Sequence, residues 1–343
     1  MATKKQWQFN LKGARRVAQR TPVITENLVL ATFYHGEGLN SRGTLVALNA
    51  NDGREIWRFN TESTLNEPVI DRDGFIYTTC FNGWVYKLNR EGKIVWQVRQ
   101  PSSTIWKPLL VEDLLVYAEI AGRAKNTWAI AISDGSLQWQ YEHGGHSYSL
   151  AGNDSYLVYS TVRGSFDNKE IVLQCLDTQT GKPIWKTYHQ QYFFNPIIDG
   201  RVVYIGSRGH VAAFCLQTGN LLARYDLEAG VAVKLSPLVT TDAVIFCTEG
   251  EILSLSKSDA AIAMALNWHF TSGSQINANL LQYDTRLLAI TESGELIQLD
   301  LKKGELIQKQ KLPGFKQGFG MAVYHRDLIV AVSRYCTCLN IEH

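Results

Sequence analysis

Eight histidines, six cysteines and 32 carboxylates are the groups through which this chain could do acid–base, metal or thiol chemistry. Zinc sites need paired Cys or His residues at short, repeated spacing. Only two pairs come near. His143 and His146 share 142-EHGGHSY-148, whose glycines read as a solvated loop, and Cys336 and Cys338 lie two apart on one strand face with no second pair. Cys175, Cys215 and Cys338 precede the apolar residue of a recurring strand, in the slot that Ala47, Ala131 and Ser254 hold elsewhere. They read as small buried core residues, and unpaired thiols fit a reducing compartment. No Gly-x-Ser-x-Gly elbow, phosphate loop or dinucleotide fingerprint occurs. The residues therefore predict no catalytic centre, no metal and no cofactor.

What the sequence does contain is a repeat. The units 43-GTLVALNANDGREIW-57, 83-GWVYKLNREGKIVW-96, 125-KNTWAIAISDGSLQW-139 and 169-KEIVLQCLDTQTGKPIW-185 are close copies. Weaker copies begin at Gly209, Gly250 and Gly294. Anchors at Trp57, Trp96, Trp139, Trp185, Tyr225 and Trp268 are 39, 43, 46, 40 and 43 residues apart, the period of a four-stranded propeller blade. Within a unit the strands alternate with period 2 and are rich in Val, Ile and aromatics. They end in Asp-Gly, Glu-Gly or Thr-Gly turns that supply the positive φ of a tight hairpin. An eighth unit is split: 321–343 supplies three strands, and 5-KQWQFNL-11 supplies the fourth, with Trp7 in the place of Trp57. The expectation is an all-β chain, 1–343 forming a single eight-bladed β-propeller whose last blade is built from about 320–343 plus 5–11. Closing the ring in this way removes exposed sheet edges.

The blades resemble the PQQ-like repeat family, whose signature runs Ala-x-Asp-x-x-Thr-Gly-Lys-x-x-Trp. The segment 176-LDTQTGKPIW-185 is nearly ideal, 48-LNANDGREIW-57 and 88-LNREGKIVW-96 are close, and the copies near Val211 and Leu296 lack the Trp. At whole-chain scale the likeness is to BamB-type propellers, which are eight-bladed, cofactor-free scaffolds. That resemblance implies partners in outer-membrane protein assembly. Quinone-dependent members of the wider family are longer and exported. They use adjacent cysteines, calcium-binding groups and a catalytic Asp, and no Cys-Cys pair or such cluster aligns here.

Propeller function usually resides on loops. Those joining second to third strands share a face with those joining successive blades. Arg42, Arg123, Arg163, Arg208 and Arg334, with Lys125, recur at near-equivalent places on that face, while Glu249 and Glu292 make two blades negative. Trp106, Tyr192, Phe193 and Phe315 add aromatics, whereas Phe194 beside Pro196 reads as core. Arg and aromatics are the residue types enriched in protein interfaces. The expected partner is another protein, with an acidic surface.

A formal charge of +2 and a pI near 8.1 argue against nucleic-acid binding through bulk charge, which usually brings a pI above about 9. No stretch approaches a membrane span of about 20 apolar residues, and the first ten residues do not read as a secretory signal. A monomeric cytoplasmic scaffold is expected, with a toxin-neutralising immunity protein and a quinone-dependent dehydrogenase or small-molecule binder of the central channel as the alternatives.

Overall fold

The computed structural model describes residues 4–13, 16–17, 21–36, 41–101, 107–119, 125–165, 168–257, 264–312, 318–332 and 335–340. Among the described residues every sheet is antiparallel, and there are eight. Blade 4 shows the plan: His146–Gly152, Tyr156–Ser165, Asn168–Asp177 and Pro183–His189 pair in chain order. The first strands of blades 2 to 5, and those of blades 7, 8 and 1, touch in sequence and so line the axis, which leaves the fourth strand outermost. Blade 1 departs from the plan only at the axis. Its inner strand is broken into Arg16–Val17 and Val23–Thr25, which pair with opposite ends of Leu28–His35.

Ring closure follows the expected route. Lys4–Asn10 adds to Tyr335–Asn340 as the outer strand of blade 8, and the Thr337 hydroxyl donates to the Trp7 carbonyl at 2.8 Å.

Both faces of each sheet are buried, so period-2 alternation sorts residues between two neighbours instead of between core and solvent. In Arg42–Asn49, Leu45 and Ala47 pack toward blade 2, while Val46 and Leu48 pack toward blade 8. The core is accordingly eight apolar seams, each shared by two blades.

The repeat's signature residues clasp the seams whose outer strand carries the anchor Trp. In blade 4, the Asp177 carboxylate accepts from the Thr180 amide and hydroxyl and so shapes the turn, and Gly181 adopts φ 67°. That turn sits on the indole of the preceding blade: a Cβ on Gly181 would lie 2.5 Å from the Trp139 ring. Trp139 Nε1 then donates to the Thr178 carbonyl at 2.9 Å. Trp7 with Gly53, Trp57 with Gly92, Trp96 with Gly135, and Trp185 with Gly219 repeat this arrangement. Their indole donors reach Ala50, Arg90, Ile132 and Leu216.

Register corrects the reading of blade 5. Ala47, Cys175, Ser254 and Cys338 lie opposite Trp57, Trp185, Trp268 and Trp7, and the matching pair in blade 5 is Ala213 with Ala223. Tyr225 is therefore two residues past the anchor. Cys215 and Ala131 lie two past the slot opposite the anchor, in the turn-capping position of Asn49 and Asp177. Without a Trp to set the phase, a two-residue slip preserves the alternation and goes unnoticed. Cys215 is consequently half-buried, not core, and the Thr218 hydroxyl pulls its thiol pKa down. Cys175 and Cys338 are buried as expected.

Candidate protein-binding face

Backbone pairing builds one face of the ring. Loops leaving an outer strand reach across to the turns between second and third strands, through isolated bridges Leu65 to Cys80, Arg208 to Ala232 and Ile276 to Thr291. Gly209 N also donates to the Val231 carbonyl at 2.7 Å. These cross-links hold the loop face rigidly on the sheet scaffold, with the two predicted loop families side by side.

The arginines on this face differ in use. Arg42 starts the third strand of blade 1 opposite His35 and is exposed. Arg208 is exposed on the turn that Ala232 pins. Arg163 is half-buried. Its Nε donates to the His143 carbonyl at 2.8 Å and its guanidinium lies 3.9 Å from Glu170, so it ties blade 4 to blade 3. Glu249, expected as part of a negative arc, is bonded to Lys234 at 2.8 Å, and Lys234 and Arg208 together draw its carboxyl below the ordinary range. Arg208 of blade 5 thus lies close enough to Glu249 of blade 6 to act on its charge. Lys125 is half-buried at φ 52°, its carbonyl accepting from His143 N. Arg123, Arg334, Trp106 and Phe315 lie outside the described residues.

Among the aromatics, Tyr192 is half-buried, stacks on Phe194 at 6.4 Å and carries the Lys169 ammonium 5.5 Å from its ring centre. Phe193 corrects the expectation of an exposed ring. It is 1% exposed, edge-on to His189, His210 and Phe214. Strand alternation turns it into the seam between blades 4 and 5, while Phe194 remains half-buried.

His143 also departs from expectation. Its ring is fully buried against Tyr159, with Nε2 unpartnered, instead of lying in a solvated loop. Burial, aided by Arg163 and Lys125, lowers its pKa to about 4. His189 occupies the same place one blade on, four residues past Trp185 as His143 is past Trp139. Its pKa too is lowered by burial. A Trp-x-x-x-His spacing in two adjacent repeats was the available signal.

The quinone cofactor of the wider family calls for a calcium-binding donor set and a vicinal disulfide. Among the described residues no three His, Cys, Asp or Glu side chains converge on a metal position. The six cysteines are unpaired, and Cys336 and Cys338 are sealed in the seam between blades 8 and 1, away from the axis. The residues present do not fit that group.

Comparison with known proteins agrees with this geometry. The family model described as outer membrane protein assembly factor BamB matches residues 41–173 and 167–335. A BamB of Nitrosomonas eutropha is 26% identical over 210 residues, covering 56% of this chain and 49% of the relative. One from Burkholderia pseudomallei is 24% identical over 149 residues, covering 43% and 38%. The chain thus matches half or less of the length of these curated relatives. The crystal structure of BamB from Moraxella catarrhalis superposes with a TM-score of 0.73 at 16% identity, over 99% of this chain and 100% of that one. A quinohemoprotein alcohol dehydrogenase from Pseudomonas putida gives 0.73 at 13%, over 98% and 76%. Chaetomium thermophilum Sqt1, bound to the N-terminus of ribosomal protein L10, gives 0.79 at 12%, over 99% and 100%. At such identities these structural likenesses speak for the fold alone. The match to the family model runs through most of the ring, and the chain belongs to the BamB family of PQQ-like propellers.

Proposed function

We propose that this chain is a non-enzymatic, monomeric scaffold that binds another protein on its loop face. The observation that carries the reading is the pair of exposed guanidiniums, Arg42 and Arg208, on a face whose loops are cross-linked to the sheets. Charge held on a rigid frame steers an oppositely charged partner without an ordering cost at each encounter. The relatives' name points to a partner in outer-membrane protein assembly. A neutralised toxin in the cytoplasm is the other partner class that such a frame suits.

The test is affinity capture from native cells at low salt, comparing wild type with an Arg42→Glu, Arg208→Glu double variant whose thermal midpoint is unchanged. Loss of one partner from the variant supports the reading and names the process. Equal recovery overturns the role of the rim. Sedimentation at 38.6 kDa checks the monomer, and fractionation of the cells that supply the partner places the chain in its compartment.

A further inference from the structure

Between blades 4 and 5 the outer wall opens into a cleft of about 390 Å³. Its floor is aromatic: Phe193 and Phe214 are both buried, with centroids 5.6 Å apart and planes at 89°. Its lip includes two exposed apolar side chains, Tyr188 at 63% and Leu221 at 55% of full accessibility. Arg224 closes one side. Its Nε donates to the Asp226 carboxylate at 2.6 Å.

Gln190, Gln191 and two imidazoles complete the lining, and each imidazole has a hydroxyl partner. The Ser207 hydroxyl lies 2.9 Å from both the His210 carbonyl and His210 Nδ1, and when its single proton goes to the carbonyl it accepts the ring's Nδ1–H. His210 Nε2 is then an acceptor with no protein partner. His189 is held the same way, Nε2 lying 2.8 Å from the Thr187 hydroxyl, and its Nδ1 is the ring nitrogen left over. Burial pushes the pKa of both rings down, which keeps them neutral at pH 7.

An apolar floor, a flat cation and a neutral acceptor together suit an aromatic ring that carries its own donor. The ring packs edge-to-face on the phenylalanines and under the guanidinium, and its O–H or N–H meets the acceptor. A benzyl ring fills the same space but leaves His210 Nε2 unmet. We propose that the cleft is an anchor pocket for a tyrosine or tryptophan side chain of a partner protein. This inference rests on the protein-binding reading but does not depend on the arginine rim. Tyr and Trp are the residues that most often anchor interfaces in such pockets.

The full chain is titrated with N-acetyltyrosinamide, N-acetyltryptophanamide and N-acetylphenylalaninamide while the Cε1–H resonances of His189 and His210 are followed by NMR. The first two are expected to shift both resonances saturably, about threefold or more tighter than the third, the margin of one net hydrogen bond. His210→Phe, which keeps an aromatic ring and removes the acceptor, is expected to erase that preference. Leu221→Glu, at an exposed position, is expected to abolish binding of all three, and this arm stands if His210→Phe does not fold. No saturable shift, equal affinity for the phenylalanine amide in the wild type, or undiminished binding by Leu221→Glu each overturns the proposal. The Arg42→Glu, Arg208→Glu variant is expected to bind the tyrosine amide like wild type, so failure of the rim and failure of the cleft are read separately.

Discussion

Each indole of the clasp does two jobs at once, filling a seam and closing a hydrogen bond to the next blade's turn. Trp139 is 8% exposed, so Trp139→Ala leaves both a cavity and an unmet Thr178 carbonyl. The expected loss is about 3–5 kcal/mol, read as a fall in the chemical denaturation midpoint. Gly181→Ala attacks the same contact from the other side, because its methyl would overlap the ring and because φ 67° disfavours any L side chain. The two losses should not add, and a double-mutant cycle measures the shared part.

His143 makes a separate prediction. Its folded-state pKa of about 4 lies below the ordinary 6.5, so between these values the unfolded chain binds more protons than the folded one. Stability is therefore lost as pH falls from 6.5 toward 4, by roughly 3 kcal/mol in all from this residue. His143→Leu should flatten that part of the pH–stability curve. A curve as steep as wild type would sink the assignment.

At the scale of the strand, every outer strand carries one extra residue just before its anchor: Gln6, Ile56, Val95, Gln138, Ile184, Leu222, Asn267 and Ile307. Such a bulge twists the strand and disrupts the ladder that a second sheet would extend, which is how a ring of eight exposed edges resists edge-to-edge pairing. The bulged Ile56, Val95, Ile184 and Ile307 are 42–49% exposed, as is Ile94 at 47% just before its bulge. Replacing Ile56 or Val95 with Lys should shift stability by no more than about 0.5 kcal/mol, as at ordinary surface positions. Thermal midpoints of the two single variants decide it. The strands and their turns were legible because Asp-Gly, Glu-Gly and Thr-Gly recur at blade spacing. The bulges were not, since the extra residue falls at the start of the outer strand beside the turn, where too few residues precede it to show a break in the alternation.

Closure belongs to the whole molecule. Lys4–Asn10 and Tyr335–Asn340 are the first and last strands described, and their pairing converts an open stack into a ring. Trp7 extends the closure into the next seam by clasping Gly53 of blade 1. Removing residues 4–10 should therefore expose the edge of blade 8 and strip the seam with blade 1. A lowered melting temperature with concentration-dependent association is expected, checked by calorimetry and sedimentation. A deletion variant that stays monomeric at wild-type stability would contradict this account.

The architecture followed from sequence alone because a propeller repeats its solution eight times. Trp57, Trp96, Trp139 and Trp185 each pair with a turn that has glycine at its close approach, and a fault in one copy is outvoted by the others. Even the location of the missing outer strand could be read, since Trp7 lacked a blade of its own. What the residues do one by one was decided only in three dimensions. Arg42, Arg163 and Arg208 look alike along the chain, yet Arg163 is drawn into a seam by the His143 carbonyl while Arg42 and Arg208 face outward. Phe193 and Phe194 are neighbours, and strand alternation alone decides which is buried. The cleft at His189 and His210 arises from side chains more than twenty residues apart on two blades. A periodic pattern specifies the contacts that repeat. A site made from the exceptions to the repeat exists only where the seams bring those exceptions together.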